Sequence, residues 1–375
     1  MRVVHVIAAA RRGGAEQLLW LIGRHLQQTG TACSVVFFDD GPMRERFEEA
    51  GLSCHVLGGH GVVRPLAMIW AKRLLATLAP DVVHLHGMRA LGHWAPVARV
   101  AGIPMVYSTH ASASVKDATY GRLAAGYRRL EGVFSRACAS AVVATSERMG
   151  RDLVDAGGVP SGLIRVIPPC IDLERLRPVT PSSRAAARRR FGLEGHVVGM
   201  VGRLIPVKGH AVMFQALRQL PGTTLLLAGE GSERGALDAL ASRLGIRARV
   251  VMLGDTSEVA AVYHASDVVA YPSTEGIIGL AALEAMACGL PVVTSDLPGL
   301  EAFVEAGRTA LLAPPGDATS LAAMLAALLN DAPRASRLAE AGMAHARATY
   351  APAAAAAAYR ALYVSVTSET AASAS

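Results

Sequence analysis

Between Asp267 and Ser295 the chain reads DVVAYPSTEGIIGLAALEAMACGLPVVTS, and two carboxylates, Glu275 and Glu284, flank a glycine-bearing turn within it. The apolar run from Asp267 to Tyr271 predicts a strand, and the Pro272, Ser273, Thr274 break ends it. Glu284 then falls on a predicted helix, and a second strand follows Cys288 and Gly289. A strand, a turn and a helix N-terminus make an anion site, because free amides and the helix dipole converge there. Carboxylates on both sides imply an enzyme that grips a phosphorylated, hydroxyl-rich ligand.

Further along that line of chemistry stands Lys208, one of only three lysines beside 34 arginines. It lies in VGRLIPVKGH, just after an expected strand and five residues beyond Arg203. A flexible ammonium and a planar guanidinium that converge suit a diphosphate better than a single carboxylate. His110 ends an expected strand of the first half, where a parallel sheet presents its ligands; a neutral imidazole there can bond a sugar hydroxyl or a phosphate. His84 and His86 are taken to face opposite sides of their strand and so to be poor partners for one metal. Gly13 and Gly14 open the first helix where backbone must approach a ligand closely. Neither they nor GEGSERG, from Gly229 to Gly235, fit the GxGxxG spacing of a dinucleotide site, which disfavours a dehydrogenase.

These residues need a scaffold that brings strand ends together. Expected strands run over Val3 to Ala8, Ala32 to Phe38, Ser53 to Leu57, Val82 to Leu85, Met105 to Ser108, Ala141 to Thr145 and Ile164 to Ile167. A second set runs over Val197 to Val201, Thr224 to Ala228, Arg249 to Leu253, Val268 to Tyr271, Pro291 to Thr294 and Ala310 to Ala313. Amphipathic stretches lie between them, such as Glu16 to Gln28 with Leu18, Leu19, Ile22 and Leu26 on one face. The alternation predicts an α/β protein of two doubly wound, Rossmann-like domains facing across a cleft. The expected boundaries are a first domain over 1–174, a polar, proline-bearing linker over 175–190 and a second domain over 191–348. A C-terminal helix over 349–365, packing back on the first domain, and a frayed tail over 366–375 complete the division.

Length and composition agree, since 375 residues favour two domains and 52% apolar content fills their cores. No run reaches the roughly 18 to 20 apolar residues that span a bilayer, and Val3 to Ala10 lacks the ending of a leader. Cys33, Cys54, Cys138, Cys170 and Cys288 show no metal or CxxC spacing, so free thiols in a reducing, cytoplasmic setting are expected. The net charge of +7 is confined to the first half, with 21 Lys+Arg against 14 Asp+Glu up to Arg177 and 16 of each beyond. Low aromatic content, 5%, argues against nucleic acid as the partner. From Tyr120 to Cys138, Leu123, Tyr127, Leu130 and Phe134 recur at helical spacing while Arg122, Arg129 and Arg136 recur on another face. Two readings stand for that helix: a basic, amphipathic element resting on an anionic membrane, or a core-facing helix with a solvated arginine stripe.

Taken in order, VGRLIPVKGH, AGEGSER and EGIIGLAALEAMACGLPVV resemble the nucleotide-sugar domain of the family 4 retaining glycosyltransferases, which have the GT-B fold. GGAEQLL, VVHLH and YSTH extend the resemblance over nearly the whole chain. The resemblance implies that Arg203 and Lys208 neutralise the donor diphosphate, with help from amides at Ile278, Gly279 and Leu280. It implies that Glu284 accepts from the ribose hydroxyls, that Glu275 and His110 lie by the transferring sugar, and that Gly229 and Gly231 lie near the nucleotide. Base selectivity is assigned to backbone around Val251 to Gly254, Leu253 included. The implied activity is metal-independent transfer, without a cofactor, from a nucleoside diphosphate sugar to a saccharide acceptor, lipid-linked and of an envelope or exopolysaccharide pathway. An epimerase or hydrolase on the same fold, and a non-catalytic nucleotide-sugar-binding subunit, are the alternatives. Peripheral attachment to an anionic membrane surface goes with the first reading. Two departures from the family pattern are local: eight residues rather than seven separate Glu275 from Glu284, and Pro169 and Cys170 replace an asparagine and glycine in IPPCID.

Overall fold

The computed structural model describes residues 1–11, 13–58, 65–110, 116, 121–275 and 279–374. The chain forms two compact units, Met1–Cys170 with Pro352–Ser375, and Ile171–Ala351. The first is built on seven parallel strands, β1 (Arg2–Ala9), β2 (Ala32–Asp39), β3 (Ser53–Val56), β4 (Val82–His86), β5 (Met105–Ser108), β6 (Ala141–Ala144) and β7 (Ile164–Val166). Their order is β3-β2-β1-β4-β5-β6-β7, so the direction of winding reverses between β1 and β4. All five residues of β4, VVHLH, are buried, as a central parallel strand covered on both faces requires. Helices α1 (Gly14–Gln28), α2 (Arg44–Glu49), α3 (Pro65–Leu78), α4 (Gly87–Val100), α5 (Ala124–Cys138) and α6 (Glu147–Asp155) connect them. Helix α1 buries Leu18, Leu19, Ile22 and Leu26, the face its spacing predicts.

Helix α5 departs from the core-facing reading. Its buried residues are Ala124, Glu131, Gly132 and Ser135, while Leu123, Leu130 and Val133 are 76%, 48% and 52% exposed. The inward face is polar because Glu131 receives both the Tyr107 hydroxyl and the Lys116 ammonium, each at 2.5 Å. Lys116 is 4% exposed, so the pair is a buried one. Apolar spacing alone cannot tell which stripe of a helix faces inward when the other stripe has a satisfied charge network to bury.

In the second unit six parallel strands, β8 (His196–Val201), β9 (Thr223–Ala228), β10 (Val250–Gly254), β11 (Val268–Tyr271), β12 (Val292–Ser295) and β13 (Leu311–Ala313), run in the order β10-β9-β8-β11-β12-β13. The reversal falls between β8 and β11. Its helices are α7 (Pro181–Phe191), α8 (His210–Arg218), α9 (Arg234–Arg243), α10 (Val259–Ala265), α11 (Leu280–Ala287), α12 (Ala318–Asn330) and α13 (Ala332–Thr349). Helix α7 occupies most of the stretch 175–190 expected as a linker. The polar residues read as linker are its start signals: Thr180 and Ser183 form a reciprocal capping box and Pro181 takes the first helical turn. Arg184 and Arg188 then reach Asp267 at 2.7 and 2.6 Å and fix α7 beside β11.

The last helix, α14 (Pro352–Ala374), belongs to the first unit, where Ala355, Ala356, Tyr359, Leu362, Tyr363 and Val366 join α1, β1 and β2 in one core. It continues through 366–374, where a frayed tail was expected. Among the described residues no helix is long and apolar enough to cross a membrane.

Candidate functional site

In the second unit the candidate residues gather where the winding reverses, at the C-terminal ends of β8 and β11, the position at which open parallel sheets bind ligands. Arg203, exposed, and Lys208, half-buried, lie on the loop from β8 to α8. The Lys208 ammonium contacts the Tyr271 hydroxyl and lies 5.0 Å from the Tyr271 ring centroid. Thr274 N–H donates to the Val207 carbonyl at 3.0 Å, so the lysine loop and the segment after β11 are laced together. Tyr271 in turn rests against Gly279: a Cβ there would lie 1.9 Å from the tyrosine hydroxyl. Only glycine lets Lys208, Tyr271 and the start of α11 meet.

Gly279 is the extended N-cap of α11, without a side-chain cap, and Leu280 is its first residue. The amides of the first turn and the Lys208 ammonium therefore supply positive charge from two sides of Tyr271. Glu284 is one turn further in. Its Oε2 accepts from the Tyr263 hydroxyl at 2.8 Å, and that hydroxyl is also 3.0 Å from the Ala281 carbonyl. Burial raises the Glu284 carboxyl above its ordinary value, against the Tyr263 bond and the Arg175 charge that lower it; Asp172 adds to the rise. Glu275 is exposed on the bend before residues 276–278. Ile278, and the extra residue between the two glutamates, fall outside the described residues.

The motif glycines have a packing reason. Gly229, at φ 145°, comes so close to the loop after β8 that a Cβ would lie 1.9 Å from the Gly202 carbonyl, and one at Gly231 would lie 2.3 Å from the Leu204 carbonyl. Leu204 N–H donates to the Glu230 carbonyl at 2.9 Å, so this turn holds the arginine loop in place. Leu253, in β10, is half-buried against the cluster of Leu193, Val197, Leu226 and Val262. Buried polar atoms without a partner mark the same unit: both ring nitrogens of His210 and the Ser273 hydroxyl.

The first unit also collects its candidates at the reversal. Gly13 is the extended N-cap of α1, Gly14 its first residue, and His110 follows β5. His84 and His86 do not face opposite sides: their ring centroids are 4.1 Å apart, because residues two apart on a strand share a face. His5, directly paired with His84 in the β1–β4 register, completes a buried group that sequence reading missed inside an apolar run. A ring nitrogen from each of His5, His84 and His86 lies within 4.8 Å of the others. Both nitrogens of His84 are engaged, with Tyr363 at 2.7 Å and Ser108 at 2.8 Å, and His5 Nδ1 meets His86 Nε2 at 3.2 Å, while His5 Nε2 has no partner. Burial holds His5 at about 3 and His110 at about 4, and His84 and His86 well below the ordinary value, so the rings are neutral at physiological pH.

Two doubly wound parallel sheets, one carrying a cation-lined helix N-terminus at its reversal, define a GT-B α/β protein. The model of the family described as Glycosyl transferases group 1 matches residues 184–345, and that of Glycosyltransferase Family 4 matches residues 12–175. A D-inositol 3-phosphate glycosyltransferase of Xylanimonas cellulosilytica is 35% identical over 283 residues, 71% of this chain and 68% of the relative. Another, of Mycobacteroides abscessus, is 37% identical over 228 residues, 57% of this chain and 50% of the relative. The chain thus spans about half to two thirds of the length of the curated relatives it matches. The crystal structure of Anabaena HepE with UDP and glucose aligns with a TM-score of 0.84 at 25% identity, covering 100% of this chain and 99% of that one. The chain belongs to the group 1, family 4 glycosyltransferases.

Proposed function

We propose that the chain is a retaining, metal-independent glycosyltransferase that moves a sugar from a nucleoside diphosphate sugar to a hydroxyl of a saccharide acceptor. The observation that carries this reading is the meeting of Lys208, Tyr271 and Gly279 at the start of α11, with Glu284 a turn beyond. As the bond from the anomeric carbon to the diphosphate breaks and the acceptor oxygen takes its place, charge grows on the departing diphosphate. Lys208, Arg203 and the helix amides are preorganised to stabilise it. Glu284, too far along the helix to touch the phosphates, accepts from the ribose hydroxyls, while Glu275 and His110 address the sugar. UDP is the favoured nucleotide, by analogy with the HepE complexes.

The acceptor side of the reading includes an anionic membrane surface, supported by the exposed Leu130 and Val133 beside Arg129 and Arg136 on α5, and by the exposed Arg122 and Leu123 on the turn just before it. A lipid-linked saccharide of an envelope or exopolysaccharide pathway fits such a surface. The test is a thermal-shift panel of UDP, GDP and ADP sugars on the full chain, followed by transfer assays with membrane extracts as acceptor source. Lys208→Ala is expected to lower kcat by about 2.7 to 4 kcal/mol of transition-state stabilisation, roughly a hundred- to a thousandfold. Full transfer by both Lys208→Ala and Glu284→Ala would overturn the site, and rapid turnover of donor without acceptor would replace transfer by hydrolysis or epimerisation.

A further inference from the structure

We propose that His5 and His86 are positioning residues that, through a buried chain of imidazoles, hold His110 as an Nδ1–H donor. His5 Nδ1 faces His86 Nε2 at 3.2 Å, and His86 Nδ1 faces His110 Nε2 at 3.1 Å, with the His86 and His110 rings tilted by only 9°. Three neutral rings carry one proton each, and each of the two contacts needs one proton between its nitrogens. If His86 donates to His110, it must accept from His5; if it accepts from His110, it must donate to His5. Two arrangements therefore exhaust the possibilities, and one proton choice sets all three tautomers.

The far end decides between them. His5 Nε2 is buried with no partner. When protons point away from His110, that nitrogen becomes a buried N–H with nothing to receive it, the rarer and costlier kind of orphan. When they point toward His110, it is left as a bare lone pair, and the third proton stands on His110 Nδ1. An N–H there can meet any oxygen of a sugar or a diphosphate, whereas a bare nitrogen would repel a phosphate oxygen, which has no proton to give. His84 does not enter the chain, since its two nitrogens are taken by Tyr363 and Ser108.

The functional meaning rests on the proposed place of His110 beside the donor sugar; the tautomer itself does not. The experiment is two-bond 1H–15N spectroscopy of the full chain labelled at histidine, without ligand at neutral pH, with resonances assigned by single substitutions. The expected result is protonated Nδ1 in His5, His86 and His110. His86→Asp offers only an acceptor and is expected to invert His110 to Nε2–H and to lower kcat about ten- to a hundredfold, while His86→Asn, which keeps a donor, restores both. A wild-type His110 found as Nε2–H, or averaging between tautomers, overturns the proposal, whether or not the variants fold. So does stoichiometric zinc in the purified protein that shifts the His5, His84 and His86 resonances when removed. An Nδ1–H in the wild type with unchanged kinetics in a folded, inverted His86→Asp keeps the relay and removes His110 from the sugar.

Discussion

At the scale of single residues, the candidate carboxylate is not an isolated group on a helix but half of a pair with Tyr263. The phenol hydroxyl, 2.8 Å from Glu284 Oε2, offsets part of the rise that burial imposes on the carboxyl. Tyr263→Phe removes that offset, so the Glu284 carboxyl rises further and its ionised form is reached only at higher pH. If ionised Glu284 accepts from the ribose, the variant binds donor more weakly by about 1 to 3 kcal/mol. The loss narrows as pH increases, and KM changes more than kcat. Isothermal titration with UDP across the mildly acidic range measures it; an affinity equal to wild type at every pH, while Glu284→Ala loses binding, would show that Tyr263 is mere packing. Sequence made Glu284 legible because a helix start fixes what lies one turn inside it. Tyr263 and Tyr271 were not legible, because their partners lie on other elements and only the tertiary fold brings them near. His5 was hidden by its neighbours: an apolar strand pattern gives no sign that one member is an imidazole facing another strand's imidazoles.

Among the elements, the strands were the most legible part, because parallel strands buried on both faces leave short apolar runs between turn signals. Helices were less so. Helix α7 carries Thr, Pro and Ser at its start, signals shared by linkers and caps, and α5 turns Glu131 inward to meet the buried Lys116 while its Arg129 and Arg136 stay exposed. The turn from β9 to α9 shows how a motif can serve geometry before chemistry. Gly229 cannot take a side chain without meeting the Gly202 carbonyl, and its φ of 145° is one that other residues rarely adopt. Gly229→Ala is expected to destabilise the second unit by about 1 to 3 kcal/mol or more. Gly235, in the same GEGSERG run but inside α9 with nothing within 4 Å, gives the contrast. Gly235→Ala should be neutral or stabilise by about 0.5 to 1 kcal/mol, the ordinary helix preference for alanine. Urea unfolding of both variants decides the matter, and equal effects from the two substitutions would contradict the close approach.

For the whole molecule, the chain passes between its two units twice, after Cys170 and again before Pro352, so only the second unit is continuous in sequence. Fragment 171–351 holds its own six-stranded sheet, its own apolar clusters and Arg203, Lys208, Gly229, Gly231 and Glu284 of the groups proposed to hold the nucleotide. It is expected to unfold cooperatively and to be stabilised by UDP in a Lys208-dependent way. Fragment 1–170 lacks α14, and with it Tyr359, Leu362, Tyr363 and Val366 from the core beside α1, and the hydroxyl partner of His84. Each large apolar side chain withdrawn from a core removes roughly 1.5 to 3 kcal/mol of burial, and four such losses rival the stability of a typical domain. Fragment 1–170 should therefore be unfolded or aggregated. The same fragment with residues 352–375 joined through a flexible Gly/Ser segment should fold. Circular dichroism and thermal melts of the three fragments test this: a stably folded 1–170 would mean that α14 is an accessory to the first unit rather than part of its core.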